Sequence, residues 1–227
     1  MLYLKISSNA FPFAMKKYFF LFFTLFPLFS FGQKNIPVGQ GVLKIDFAKL
    51  PTLQFYSDTT LAAPSKTISI IKNQSEEYII QHQTEANAWF KPEQLFFEYD
   101  IFLIRVDTII GSWFKIVVSS ETGEMLWTKA DTVKQFIKWQ TFLLTSISSI
   151  NKNDFNLDIK TLPSDKGTTI KKMESTDCFK VLEVKGDWIK IKTNTELECS
   201  ESKKPVKSGW IRWRQHNRLT IGYALTS

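Results

Sequence analysis

The sequence predicts an all-β protein of two small barrels joined by a short helix, and three observations predict it. Beyond residue 32 the chain is a succession of runs rich in Ile, Val, Phe and Thr, separated by Gly, Asp, Asn and Ser clusters, which is strand-and-turn chemistry. Gly111-Ser112-Trp113-Phe114-Lys115-Ile116 returns 75 residues later as Gly186-Asp187-Trp188-Ile189-Lys190-Ile191. Each copy follows an apolar run, 101–106 or 178–184, and precedes a second Gly with Trp close behind: Gly123 to Trp127, and Gly209-Trp210-Ile211-Arg212-Trp213. A small β unit is thus present twice. Many short, bent strands in so few residues suit small barrels better than an extended sandwich.

The N-terminus reads as an address. Lys16-Lys17 precede an almost uninterrupted apolar run from Tyr18 to Phe31 that contains seven Phe. A basic start, about 14 apolar residues and the small pair Ser30 and Gly32 describe a secretory signal peptide over residues 1–32, cut before Gln33. The run is shorter than the roughly 18–20 residues a membrane span needs. Met15, directly before the lysines, is a possible alternative start. Cleavage leaves 195 of 227 residues, with no membrane span expected after it. The expected location is periplasmic or extracellular, where disulfides persist.

The first unit is placed at 42–135, with an insertion at 72–100 that interrupts the repeat. Tyr56-Ser57-Asp58 in this unit answers Pro163-Ser164-Asp165 in the second. Within the insertion, Trp89-Phe90-Lys91-Pro92 and Leu95-Phe96-Phe97 are expected to cover a barrel face. From Lys134 to Leu144, the three- and four-residue spacing of Phe136, Trp139, Phe142 and Leu143 predicts one amphipathic helix. A helical linker therefore occupies 136–154, ending in polar Asn151-Lys152-Asn153-Asp154. The second unit covers 155–227. There Ile189 and Ile191 alternate with Lys190 and Lys192 as in a half-buried strand. Lys185-Gly186-Asp187 is turn chemistry. Alternation breaks between Val181 and Leu182 as in a bulged strand. Leu219, Ile221, Tyr223 and Leu225 share one face of a closing strand.

The order Pro-Ser-Asp, apolar strand, Gly-Asp-Trp-Ile-Lys-Ile and Gly-Trp-Ile-Arg-Trp resembles the bacterial SH3-like domain. Residues 155–227 carry the resemblance well; residues 42–135 carry it as a divergent copy. The whole is similar to secreted tandem SH3-like proteins of Bacteroides-type bacteria. The resemblance implies two SH3-like β-barrels, and a partner such as a cell-wall peptide, a glycan or an envelope protein.

Charge separates the halves. Residues 33–150 hold 11 basic and 12 acidic groups, and residues 151–227 hold 15 and 10. From Ser202 onward six basic residues face no acidic one, which attracts anionic polymers or protects a solvated edge strand. Catalytic sets are absent from the sequence. His82 and His216 lie in different units, neither Cys opens a helix, and no Gly-rich phosphate loop, His-Glu-x-x-His or Gly-x-Ser-x-Gly occurs. No enzyme, metal, cofactor or nucleic-acid partner is expected. If Val184 pairs with Trp188, Cys178 falls opposite residue 194, five residues from Cys199. A disulfide Cys178–Cys199 would then close a loop of about 20 residues and contribute roughly 3 kcal/mol; two unpaired thiols are the alternative.

The candidate binding residues are Trp113, Trp127, Trp188, Trp210, Arg212, Trp213 and Arg214. In a small barrel such tryptophans are core or core-edge. Read functionally, they form an aromatic groove beside two arginines, able to hold a peptide or glycan by stacking and charge. The expected function is a secreted non-catalytic binding module for a peptide, protein or cell-envelope polymer. The alternative is a structural or inhibitory subunit acting through a partner protein.

Overall fold

Alternation of apolar and polar side chains sets several of the strands seen in the computed structural model, which describes residues 36–153, 155–196 and 205–225. The proposed signal peptide lies outside the described residues. The first half contains β1 (Gly41–Ile45), β2 (Thr52–Phe55), β3 (Lys66–Lys72), β4 (Tyr78–Ile80), helix α1 (Gln83–Asn87), β5 (Gln94–Phe96), β6 (Ile101–Ile110), β7 (Trp113–Val117), β8 (Met125–Lys129) and β9 (Lys134–Lys138). Helix α2 (Trp139–Thr145) follows. The second half contains β10 (Ile147–Lys152), β11 (Asp158–Lys160), β12 (Thr169–Lys172), β13 (Phe179–Lys185), β14 (Trp188–Thr193), β15 (Gly209–Arg212), β16 (Arg214–Gln215), β17 (Arg218–Leu219) and β18 (Ile221–Leu225). The protein is all-β in class, and among the described residues no helix is long and apolar enough to cross a membrane.

The two larger sheets share a strand order. The first sheet runs β8-β7-β6-β1-β9, antiparallel throughout, with β5 added along the start of β6. The second runs β15-β14-β13-β10-β18, the same order strand for strand, extended beyond β15 by β11 and β12. Both central hairpins close with two loop residues, at Ile110↔Trp113 and Lys185↔Trp188. Both long strands carry a bulge at the same repeat position, Asp107 and Leu182. An extra residue there bends the strand and raises its twist. The last strand of each set is met at its tryptophan: Tyr56, just past the end of β2, bridges Trp127, and Lys160 of β11 faces Trp210. Neither sheet closes into a barrel among the described residues.

Three expectations need correction. The helix predicted from Lys134 begins at Trp139, because Lys134–Lys138 is strand β9, bonded to β1 from Gly41↔Lys138 to Ile45↔Lys134. Phe136 sits three residues before Trp139, a spacing that helix and strand-then-helix both satisfy; the free edge of β1 decides. The stretch given to a linker also contains β10, which runs through Asn151 and Lys152 and pairs with both β13 and β18. A second unit beginning at residue 155 therefore lacks a central strand. Finally, the hairpin register differs by one from the expected pairing: Val184 faces Ile189, not Trp188. The bulge at Leu182 restores the count, and Asn194 N–H donates to Cys178 O at 2.9 Å, so Cys178 does face residue 194.

Two cores result. One gathers Leu43, Ile45, Leu53, Phe55, Phe102, Ile104 and Ile116 with Ile80, Ala86 and Phe90 from the insertion, which thereby fills the first half rather than projecting from it. The other gathers Ile150, Ile159, Phe179, Ile189, Ile191 and Ile211 with Trp139, Phe142 and Leu143 of α2. Val38, Val42 and Leu103 of the first half also belong to this second core. Residues 34–227 accordingly form one compact unit.

Candidate functional site

On the face of the first sheet turned away from Phe114, Ile116 and Leu126, aromatic and cationic side chains alternate across two strands. Trp113 pairs with Lys129, and Lys115 pairs with Trp127. The Lys129 ammonium stands 4.9 Å from the Trp113 ring centre and 5.9 Å from that of Tyr56, and Lys115 stands 5.9 Å from Trp127. Tyr56 meets Trp113 edge-on at 5.1 Å. Strand period places these groups on one side: β7 alternates Trp113, Lys115 outward with Phe114, Ile116 inward, and β8 does the same around Leu126 and Thr128. Both indoles are half-buried, and Lys129 is exposed. Among the described residues neither lysine forms an ion pair. Cation–π contacts of this kind are worth about 0.5–1 kcal/mol at exposed sites.

The second sheet repeats the pattern. Trp188 pairs with Arg212 and Lys190 with Trp210. The Arg212 guanidinium lies 4.9 Å from the Trp188 ring centre, and the Lys190 ammonium 5.9 Å from that of Trp210. This copy is closed. Trp188 is 8% exposed and Trp210 9%, and the Asp165 carboxylate accepts from Arg212 at 2.6 Å.

Trp213 and Arg214 lie elsewhere. Trp213 is buried, donates from its indole nitrogen to Gly186 O at 2.9 Å, and packs 5.8 Å from Trp139. Arg214 covers its ring at 4.9 Å and donates to Asp187 at 2.6 Å. These residues border a cleft of about 410 Å³ between the halves, shared with Phe136, Lys138 and Trp139. Nearby a buried polar chain crosses the same junction. The Tyr223 hydroxyl donates to Glu93 at 2.7 Å, Glu93 pairs with Arg105 at 2.5 Å, and Arg105 donates to Pro37 O at 3.1 Å. Burial first, and the Glu93 charge second, hold the Tyr223 phenol well above its ordinary value.

The seven predicted residues therefore do not line one groove. They divide into an open face (Trp113, Trp127), a closed copy of it (Trp188, Trp210, Arg212) and a junction (Trp213, Arg214). Sequence reasoning missed Tyr56, Lys115, Lys129 and Lys190; the Trp-x-Lys spacing shared by both β-hairpins was the available signal for the lysines at 115 and 190. His82 and His216 are exposed and lie in different halves. Cys178 is buried beside β13, whereas Cys199 lies outside the described residues, as does its proposed bridge. Among the described residues no group of three or more His, Cys, Asp or Glu is placed to hold a metal.

The chain matches no family model, and comparison with curated proteins and with solved structures returns no match.

Proposed function

We propose that the chain is a secreted, non-catalytic binding protein built of two SH3-like modules, with its Cys178–Cys199 bridge formed outside the cytoplasm. It holds a peptide, protein or cell-envelope polymer against the open face of the first sheet. The repeated five-strand order, with a glycine-led hairpin and a bulge at matching positions, supports the tandem reading. The observation that carries the function is the difference between the two faces. In one aromatic–cation lattice both indoles are buried and Arg212 meets the Asp165 carboxylate; the other leaves two indoles half-exposed beside lysines that no carboxylate of the described residues neutralises. Aromatic surface with unpaired charge is what binding sites retain and structural faces cover.

The rival subunit reading would use the 72–100 insertion. Its Ile80, Ala86 and Phe90 are already consumed by the core, and of its large apolar side chains Phe96 and Tyr99 are the exposed ones.

Co-sedimentation with purified cell envelope tests the proposal. The paired variant Trp113→Ala with Trp127→Ala is expected to weaken retention about tenfold or more, the loss of roughly 1.4 kcal/mol. Trp210→Ala should disturb stability before binding, since that indole is buried. Retention that does not change in the first variant removes the face as the binding site.

A further inference from the structure

The closed lattice contains its own anion. Asp165, Arg212 and Trp188 form a stack in which a carboxylate meets a guanidinium that covers an indole. At the matching ladder position of the open lattice, Lys129 covers Trp113. The acidic residue that follows Tyr56 in the open half is Asp58, two residues past the Trp127 bridge, whereas Asp165 stands five residues past Lys160, the partner of Trp210. Asp58 turns back on its own loop, accepting from Thr60 N–H at 2.8 Å and from the Thr60 hydroxyl at 2.7 Å. Those hydrogen bonds hold its carboxyl below the usual range and keep it ionised where it is. One copy thus supplies a carboxylate to the cation over its indole; in the other, Asp58 is held by its own loop and Lys129 forms no ion pair among the described residues.

From this internal comparison, and resting on the binding reading above, we propose that the open face takes its carboxylate from outside, from an acidic glycan. The sugar chain lies across Trp113 and Trp127, with its acid groups at Lys129 and Lys115. Two features select a glycan over an acidic peptide. The strand edge beside Trp127 is occupied, because Tyr56 and Trp127 exchange backbone hydrogen bonds at 2.7 and 2.8 Å, so an extended peptide has no free edge there to join. Trp113 and Trp127 stand diagonally across the ladder on one face of the sheet, their positions about 7–8 Å apart by sheet geometry. A pyranose presents a flat C–H face that suits the negative face of an aromatic ring. Its carboxylate meets an ammonium at the platform's edge in a charge-assisted hydrogen bond.

Isothermal titration of the protein at physiological salt, with three probes, tests this: oligogalacturonate, its methyl ester, and poly-glutamate of matched charge. Oligogalacturonate is expected to bind. Esterification, which leaves the rings and removes the charge, is expected to weaken binding about tenfold or more. Lys115→Gln with Lys129→Gln, at positions outside the core, should do the same while lowering the melting temperature by only a few degrees, the loss of their cation–π contacts. Equal affinity for acid and ester overturns the carboxylate claim. Poly-glutamate binding as tightly, with the same lysine dependence, overturns the glycan in favour of an acidic peptide. If no probe binds while envelope retention still requires Trp113 and Trp127, the ligand class is wrong and the binding face stands. Retention independent of both tryptophans removes the face itself.

Discussion

Gly111 and Gly186 show what single residues decide in this fold. Each takes the first loop position of its two-residue hairpin, at φ +57° and +59°, where a type II′ turn takes glycine. A Cβ at either would meet nothing within 4 Å, so an alanine there is penalised by its backbone alone. Gly186→Ala and Gly111→Ala are each expected to cost about 1–2 kcal/mol, read as a lower urea midpoint at unchanged slope. A neutral result would show that neither hairpin needs the positive φ. These glycines, with Trp113 and Trp188, were legible because a tight hairpin is local and its chemistry repeats at a fixed offset. The lattice they support was not. Its second row comes from strands reached through connections of unequal length, 118–124 in one half and 194–208 in the other, so Lys129 and Arg212 occupy one structural position at different offsets. Register, which sequence spacing alone does not fix across a long loop, makes the pairing.

Strands and loops far apart in sequence meet at the junction, and there polar chemistry holds them. Glu93 precedes β5, Arg105 lies in β6 and Tyr223 in β18, and the Glu93 and Arg105 side chains are each only 9% exposed. A buried ion pair is weak evidence of net stabilisation, but breaking one leaves an uncompensated charge. Glu93→Gln is therefore expected to cost about 3–5 kcal/mol, and Tyr223→Phe less, about 1.5–3 kcal/mol for a hydrogen bond to a charged acceptor. The phenol adds a pH dependence. Its folded value is raised above the ordinary 10.0, so the native state keeps a proton that the unfolded chain releases. That contribution is complete below about pH 10 and is lost as pH rises through the folded value. Chemical denaturation between pH 9 and 11 should show stability falling more steeply in the wild type than in Tyr223→Phe; equal slopes would mean the phenol titrates normally. Nothing in a 130-residue separation announces this contact. The same blindness explains the overlong helix, since the 134–138 segment reads correctly only once β1 offers it an edge.

Whether the molecule behaves as two modules or one follows from where its cores are joined. Tandem modules on a linker would melt independently, each with its own hydrophobic centre. Here Val38, Val42 and Leu103 sit within the second core, Trp139 donates to Val38 O at 2.8 Å, and Val38 N–H donates to Asn217 O at 2.8 Å. Opening one half would expose apolar surface of the other. The repeated hairpin was legible in the sequence, but the second boundary was placed at residue 155, inside the connection that follows β10. Calorimetry of the chain is expected to give one transition, with calorimetric and van't Hoff enthalpies in agreement. A fragment of residues 155–227 is expected to give none, because it lacks the strand that stands between β13 and β18 and would leave the facing backbone of both without partners. Two resolved transitions in the full chain, or a cooperative melt of that fragment, would show instead that each half carries enough of its own core to fold alone.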